Sequence, residues 1–306
     1  QRFRNAKKRI QSYVEDPTIG IEQVEKVLDA AHAVQFQTNR YPGKQLTHDE
    51  LKAKYTKLIK TDTTGKYKNF NIDKIPLEKN YDILKFLVEH SSAEPWKKDC
   101  MEIVRDQADY FIPQIQTKIM NEGWASYWHY TICHELKLPQ EWHIPFIKMH
   151  NQVIRPHIGG LNPYHMGFVL FQDIKKRYGM EECFIARESS HDVAFLRQYL
   201  NEEMTRELGL FSFSEKRKKG ITIDEIHDKE GWESVKSTLL TSVGTNGIPV
   251  IYVEEVELDG TLILRHEHDG RDLELDNADE VLRHVRTLWG EEAKLFTIIE
   301  EEVWEI

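Results

Sequence analysis

The sequence predicts a mainly α-helical fold, with a multi-helix domain over residues 1–208 and a small α+β domain over residues 210–306 whose sheet is antiparallel or mixed. Through the first part, apolar residues recur every three to four positions, which is the period of an amphipathic helix. Beyond residue 210, short alternating apolar runs appear instead. Two of them flank Asp259-Gly260, a dipeptide typical of hairpin turns.

The first helices follow from their apolar faces and their start signals. One helix is predicted to run to about Gln37, and another to begin at the capping box Thr47–Glu50. The polar stretch Thr61–Pro76 predicts an exposed loop. Asn80 is expected to cap a short helix, and Pro95 to occupy the first turn of the next one.

A single helix from Pro113 to Leu138 is predicted to lie at the centre of its domain, because two of its faces are expected to pack against other elements. Trp124 and Trp128 form one heavy stripe. Gly123 costs about 1 kcal/mol relative to Ala inside a helix, and we expect it where another backbone or a ligand comes close. The face expected to point inward carries Ile115, Ile119, Glu122, Ser126, His129 and Cys133.

The later elements are predicted from turn and cap signals. The segment Trp142–Ile154 is expected to be weakly helical and interrupted at Pro145, and residues 155–161 to form a loop. Asn162-Pro163 predicts a helix start, with Gly179 at the end of that helix. The remaining predicted elements are a helix at about Ser190–Leu208, a hairpin of Leu210–Phe213 with Ile221–Ile226 around a basic loop, a helix at Trp232–Leu240, a hairpin of Ile248–Val256 with Thr261–His268, a helix at Ala278–Trp289 and a final strand at Lys294–Val303.

Composition and charge limit the class of protein. The chain has 306 residues and a net charge of −10, and residues 241–306 alone carry 17 acidic and 5 basic residues. This acidic part argues against nucleic acid as a partner. No run approaches the roughly 18 apolar residues of a membrane span. Three widely spaced cysteines indicate no disulfide framework, so a reducing, cytoplasmic setting is expected.

Glu122 and His129 are the strongest candidates for chemistry. A buried, unpaired charge costs several kcal/mol, so a carboxylate two turns from an imidazole on an inward face needs a partner. Both can bind zinc, or one can bind the metal while the other hydrogen-bonds a ligand. The spacing by itself favours the alternative, a buried Glu–His or Glu–Arg pair that joins helices. Nearby, His134-Glu135 matches half of the HExxH motif, but position 138 is Leu.

Three further groups fit either a binding or a structural interpretation. The loop 155–161 precedes a helix start, where free N–H groups favour phosphate or carboxylate, although an ordinary helix connection is favoured over an anion site. Arg187-Glu188, with Asp192 and Arg197, fits a charge network in the core or the lining of a cleft. His266 and His268 lie two apart on a predicted strand, where solvent-facing side chains are favoured over a metal pair.

The segment NEGWASYWH at residues 121–129, followed by Asn162-Pro163-Tyr164 and Gly167, resembles the stage V sporulation protein R family of bacteria. The residues Arg187-Glu188 and the C-terminal Leu288-Trp289-Gly290 are similar to that family as well. The resemblance implies a cytoplasmic protein linked, in spore formers, to formation of the spore cortex, with relatives in bacteria that do not sporulate. Family members carry a further N-terminal region with an H-x-x-x-H element, and no such element precedes Glu122. We therefore expect a family member without that region.

A second resemblance bears on mechanism. Residues 121–126 are similar to the helix of gluzincin aminopeptidases that supplies the glutamate ligand of zinc. By this analogy Glu122 is a metal ligand, and the two imidazole ligands belong to the absent region. The H-x-x-x-H element lacks the glutamate that acts as general base in HExxH.

These resemblances imply a metal-dependent hydrolase of spore cortex or cell-wall metabolism, acting on a peptide or a peptidoglycan precursor. Zinc is first among the divalent metals considered. The assigned residues are Glu122 and His129 for the metal, His129, Tyr164 and Arg187 for catalysis, and Trp128, Asn162 and Glu188 for other binding. The competing hypothesis is a non-catalytic scaffold or regulator whose acidic 210–306 domain docks a protein partner.

Overall fold

The structure of the chain, a computed structural model, describes residues 1–38, 80–156, 161–210 and 229–306, together with the single positions 53 and 56. The predicted capping box Thr47–Glu50, the loop Thr61–Pro76, the glycines at 159–160 and the hairpin around the basic loop lie outside the described residues.

The mainly helical fold class is confirmed. The described residues form twelve α-helices and one four-stranded sheet. The helices are α1 Arg2–Glu15, α2 Gly20–Val34, α3 Ile83–His90, α4 Pro95–Gln116, α5 Lys118–Glu135, α6 Gln140–Val153, α7 Pro163–Tyr178, α8 Met180–Ser189, α9 Asp192–Tyr199, α10 Glu202–Glu207, α11 Lys229–Ser242 and α12 Leu275–Trp289. The strands are β1 Ile251–Val256, β2 Leu262–His266, β3 Ala293–Ile299 and β4 Glu302–Glu305. Within these ranges, no helix combines the length and the apolar character needed to cross a membrane.

The chain divides into two compact units. The first joins Gln1–Tyr110 with Pro249–Ile306, and the second is Phe111–Ile248. The predicted boundary near residue 209 follows the change of rhythm in the sequence, whereas the compact units follow packing. The two divisions differ because the N-terminal helices share a core with the C-terminal sheet, a long-range contact that local periodicity does not contain.

The first unit is built on a mixed sheet with strand order β1-β2-β3-β4. The predicted hairpin is confirmed: β1 and β2 pair antiparallel around Asp259-Gly260, while β2 and β3 are parallel and β3 and β4 antiparallel. Helices α2 and α12 pack against each other. Apolar side chains of α2, α3, α4 and α12 form one core with the sheet, among them Val27, Leu84, Val104 and Leu282.

The second unit is entirely helical in its described residues, apart from a 3₁₀ turn at Gly244–Gly247. Its core joins α5, α7, α8, α9, α10 and α11, with Phe171 and Phe195 fully buried. All of the residues singled out for chemistry in the sequence, except His266 and His268, lie in this unit.

The predicted central helix Pro113–Leu138 is wrong at its start. Pro113 lies inside α4, which ends at Gln116. Thr117 separates it from α5, which begins at Lys118. The break is stabilised by a distant residue, because the Asp192 carboxylate accepts hydrogen bonds from the backbone N–H groups of Ile119 and Met120, each at 2.9 Å. These N–H groups have no partner inside their own helix.

Two further boundaries also differ from the prediction. The helix expected at Ser190–Leu208 ends at Tyr199, and α10 starts after Asn201, whose side chain accepts a hydrogen bond from the Met204 N–H at 2.9 Å. The final strand expected at Lys294–Val303 is two strands. Glu300 and Glu301, at φ 49° and 69°, form a two-residue turn that lacks the usual Gly or Asn.

One predicted helix interruption and one predicted N-cap are wrong. Helix α6 continues through Pro145, which is expected to break it. The hydrogen bond lost at Pro145 would involve the Glu141 carbonyl, and Glu141 is exposed, so water can replace the missing donor. At α3 the N-cap is Asp82 rather than Asn80, since its carboxylate accepts from the Lys85 N–H at 3.0 Å.

Candidate functional site

The site is organised by a crossing of α5 and α7 at two glycines. A Cβ atom added to Gly123 would lie 2.3 Å from the Gly167 Cα, and one added to Gly167 would lie 2.3 Å from the Ile119 carbonyl oxygen. The two backbones therefore touch, in agreement with the expectation that another backbone approaches at Gly123. Because no side chain separates them, the residues next to each glycine are held close to the opposite helix.

The start of α5 is held by a buried carboxylate. Asp192 is 1% exposed and accepts its hydrogen bonds from backbone N–H groups at the positive end of the α5 dipole. Burial raises the pKa of Asp192 to about 6, while the backbone hydrogen bonds lower it. In this structure Asp192 is thus a helix cap, and of the two interpretations open from the sequence the structural one applies to it.

Glu122 and Tyr164 meet beside the glycine crossing. Glu122 immediately precedes Gly123, and Tyr164 lies one turn before Gly167. The pKa of the Tyr164 phenol is raised, first by its hydrogen bond to Glu122 and then by burial. Both side chains are half-buried, so a ligand can reach them. The pair offers a carboxylate that accepts a proton and a phenol that stays protonated and donates a hydrogen bond at neutral pH.

Asn162 fixes the position of Tyr164. Its side-chain oxygen accepts from the Tyr164 N–H at 3.0 Å, which confirms Asn162 as the N-cap of α7. Its amide nitrogen donates to the carbonyls of Val153 and Arg155 at 2.9 and 2.8 Å. The neighbouring His165 places its Nδ1 2.8 Å from the Ile154 carbonyl. Asn162 is 5% exposed, so its role here is to position Tyr164 and the end of α6.

Four histidines lie between α5 and α6. His129 and His134 belong to α5, and His143 and His150 to α6; together they are called the histidine group. Phe146 packs among them, with ring centroids 5.3 Å from His129 and 5.9 Å from His150. Two histidine pairs are close, with centroids 6.2 Å apart for His129–His150 and 5.4 Å for His134–His143.

The expectation that His129 points inward with Glu122 is not met. His129 is exposed and its ring packs against Phe146, whereas Ser126 on the same predicted face is buried. The predicted face is inaccurate because α6, rather than the core, covers the last turns of α5. The neighbours of His129 are therefore the rings of Phe146 and His150 on α6.

The described residues do not fit a metal centre. Across 1–38, 80–156, 161–210 and 229–306, no three His, Cys, Asp or Glu side chains converge as ligands of one ion. Glu122 is instead paired with Tyr164, whose pKa it raises. A structural zinc site needs about four ligands, and a catalytic one about three.

The other predicted site residues are spread over the unit. Trp128 packs with Trp124, Tyr127 and Phe184, at centroid distances of 5.6, 5.6 and 6.2 Å. Arg187 is half-buried on α8, and its Nε has no hydrogen-bond acceptor among the described residues. Glu188 is exposed.

The His266–His268 pair lies in the first unit. His266 is buried, with Nδ1 2.9 Å from the Thr297 hydroxyl, and His268 places Nε2 2.9 Å from Asp272. The expectation of solvent-facing side chains is wrong for His266, which is 5% exposed and pairs with Thr297 on the neighbouring strand β3. Burial lowers the pKa of His266.

Sequence reasoning missed His150, the cap formed by Asp192 and the partner glycine Gly167. For His150 a signal exists: His143, Phe146 and His150 are spaced by three and four and share one helical face. Asp192 and Gly167 act on residues far away in the sequence, and no local pattern identifies such partners.

Comparison with known proteins identifies one protein family along the chain. The family model described as SpoVR like protein matches residues 1–248, and the model described as SpoVR-like C-terminal domain matches residues 249–300. The chain is similar to the uncharacterized protein YcgB of Escherichia coli (strain K12), with 29% identity over 320 residues. This similarity covers 89% of the chain and 62% of YcgB, so the chain spans about three fifths of that relative's length. No solved structure matches the chain with significance.

Proposed function

The chain belongs to the SpoVR-like protein family, and from this membership we propose that it acts in spore cortex formation, or in cell-wall metabolism of bacteria that do not sporulate. We further propose that it works in the cytoplasm as a hydrolase-like protein on a peptide or a peptidoglycan precursor. The observation that carries the chemical part is the Glu122–Tyr164 pair beside the glycine crossing.

The pair has the properties that hydrolysis of an amide requires. The Glu122 carboxylate accepts a proton from a water as the water oxygen bonds to the amide carbon. It then returns that proton to the amine nitrogen as the C–N bond breaks. The Tyr164 hydroxyl donates a hydrogen bond to the carbonyl oxygen as negative charge develops on it. Because its pKa is raised, Tyr164 remains a donor throughout the neutral range. The glycine crossing and the Asn162 cap hold both groups in place before substrate binds.

This proposal uses fewer residues than the sequence suggested. Neither His129 nor Arg187 hydrogen-bonds Glu122 or Tyr164 within the described ranges, so the proposed chemistry assigns them no step. A metal is likewise given no role, since the ligands that would complete a site with Glu122 are not among the described residues.

Replacement of Glu122 by Gln is expected to lower hydrolysis by about 100-fold or more, because the amide cannot take up the proton. Tyr164→Phe is expected to lower it by about 10- to 100-fold through loss of one hydrogen bond in the transition state. The measurement is release of products from purified muropeptides and peptidoglycan precursors, followed by mass spectrometry.

The matched control is Glu135→Gln, an exposed carboxylate on the same helix, which should leave the rate unchanged. Absence of turnover by the wild-type protein on the whole substrate set would exclude the hydrolase proposal. Equal rates for wild type and Glu122→Gln would exclude the assigned residue.

A second candidate function, a scaffold or regulator, is favoured by the edge of the sheet. Strand β4 is one of the two edge strands, all four of its residues are exposed, and the turn before it carries Glu300 and Glu301. An acidic edge of this kind suits a basic protein partner. A partner recovered with the wild-type chain should be lost when Glu300, Glu301 and Glu302 are changed to Gln and when salt is raised. Binding that is insensitive to both changes would contradict docking at this edge.

A further inference from the structure

Helix α6 is held against α5 largely by aromatic and imidazole rings. On its inner face, Phe146 is 8% exposed and His150 is 3% exposed. The His150 ring lies 5.1 Å from the Tyr130 ring of α5 and 5.0 Å from the Phe168 ring of α7. The outer side of α6 is exposed, including Trp142 at 66%. The attachment of this helix therefore depends on a small inner face with a titratable ring at its centre.

His150 can be accommodated only in its neutral form. Its Nε2 atom is buried and has no hydrogen-bond partner among the described residues. Protonation would turn this nitrogen into an N–H donor, and a buried donor without an acceptor costs about 1–3 kcal/mol. Burial lowers the pKa of His150, and the charges of His129 and His134 lower it further.

The groups that face His150 strengthen this effect. From α5 they are the imidazoles of His129 and His134 and the phenol of Tyr130, from α7 the uncharged ring of Phe168, and from α6 itself the ring of Phe146. Within the described ranges, no carboxylate forms an ion pair with His150.

The far end of α6 is connected to the candidate site. The carbonyls of Val153 and Arg155 accept from Asn162, and the Ile154 carbonyl lies 2.8 Å from Nδ1 of His165. Asn162 in turn caps the helix that carries Tyr164. A displacement of α6 therefore removes hydrogen bonds that position Tyr164.

We propose that α6 is an acid-sensitive latch: protonation of His150 releases α6 from α5 and, through Asn162, loosens the Glu122–Tyr164 pair. The sign follows from linkage. A histidine whose pKa is lowered in the folded state stabilises that state at pH values above its ordinary value of 6.5, and this stabilisation is lost as the pH falls below it. Only the connection to Glu122–Tyr164 rests on the proposed function.

Amide hydrogen exchange of the α6 segment tests the latch directly. After correction for intrinsic exchange rates, the opening equilibrium of residues 140–153 should rise between about pH 7.5 and about pH 5, by up to about thirty-fold if His150 titrates normally in the open state. Helix α4, which contains no histidine, serves as the internal reference and should change little. An unchanged ratio between the two segments would overturn the proposal.

Two variants separate His150 from general acid effects. His150→Leu should make the α6 segment independent of pH in this range, whereas the exposed control His90→Gln should behave as wild type. If His150→Leu does not fold, His129→Gln, at an exposed position, should reduce the acid-induced loss of protection, because one charge that lowers the His150 pKa is gone. Retention of the wild-type pH dependence in His150→Leu, or in His129→Gln, would count against the latch. None of these readouts requires turnover, so the latch and the hydrolase proposal can fail separately.

Discussion

Substitution of Gly167 by alanine is expected to destabilise the second compact unit by about 3–5 kcal/mol. The added Cβ would lie 2.3 Å from the Ile119 carbonyl oxygen and 2.6 Å from the Gly123 Cα. Both are backbone atoms, so no side-chain rotation relieves the contact, and α5 and α7 must move apart. Urea denaturation followed by tryptophan fluorescence measures the effect, since Trp124 and Trp128 lie on α5.

Gly179→Ala is the matched control. Gly179 ends the same helix at φ 93° with no atom within 4 Å of an added Cβ, so only conformational strain of about 1–3 kcal/mol is expected. Gly123→Ala should resemble Gly167→Ala, because its Cβ would lie 2.3 Å from the Gly167 Cα. A Gly167→Ala variant no less stable than Gly179→Ala would show that the two backbones are not in contact.

Asp192→Ala is the second change with a large expected effect, a loss of about 2–4 kcal/mol. It leaves the N–H groups of Ile119 and Met120 buried and without an acceptor at the start of α5. The free energy of unfolding from urea titration measures this loss. The exposed acid Glu188, changed to Ala, is the control and should have an effect below about 0.5 kcal/mol.

The pH dependence of Asp192 has a defined sign. Burial raises the pKa of Asp192 from 3.8 to about 6 in the folded state. Its shifted pKa therefore stabilises the fold below about pH 4, and this contribution is lost as the pH rises through about 6. The difference in free energy of unfolding between wild type and Asp192→Asn should therefore change by about 2 kcal/mol between pH 4 and pH 7, in favour of the Asn variant. A difference that stays constant over this range would show that Asp192 titrates normally.

Gly167 and Asp192 determine whether Glu122 and Tyr164 are held next to each other. The glycine crossing places Glu122 beside Tyr164, and the Asp192 cap fixes where α5 begins. A loss of activity in either variant would be structural. Glu122→Gln and Tyr164→Phe, in contrast, test chemistry on an intact scaffold.

The sequence predicted those parts of the site that depend on local signals. Asn162-Pro163 predicts the start of α7, and the structure confirms the cap. Gly123 predicts a close approach, and the structure shows it. Both rest on the conformational preferences of one or two residues, which act wherever the chain later packs.

What the sequence by itself determined is the type of most elements: helices through the first part, the Asp259-Gly260 hairpin, and the amphipathic helix α12. What only the tertiary structure decided is which distant residues complete them. Asp192 caps a helix that begins more than 70 residues earlier, and Gly167 contacts Gly123. His129, predicted to be a partner of Glu122, lies next to His150 of α6. The physical reason is that helix periodicity and capping depend on neighbouring residues, whereas the position of one helix on another depends on steric fit and on unpaired backbone groups.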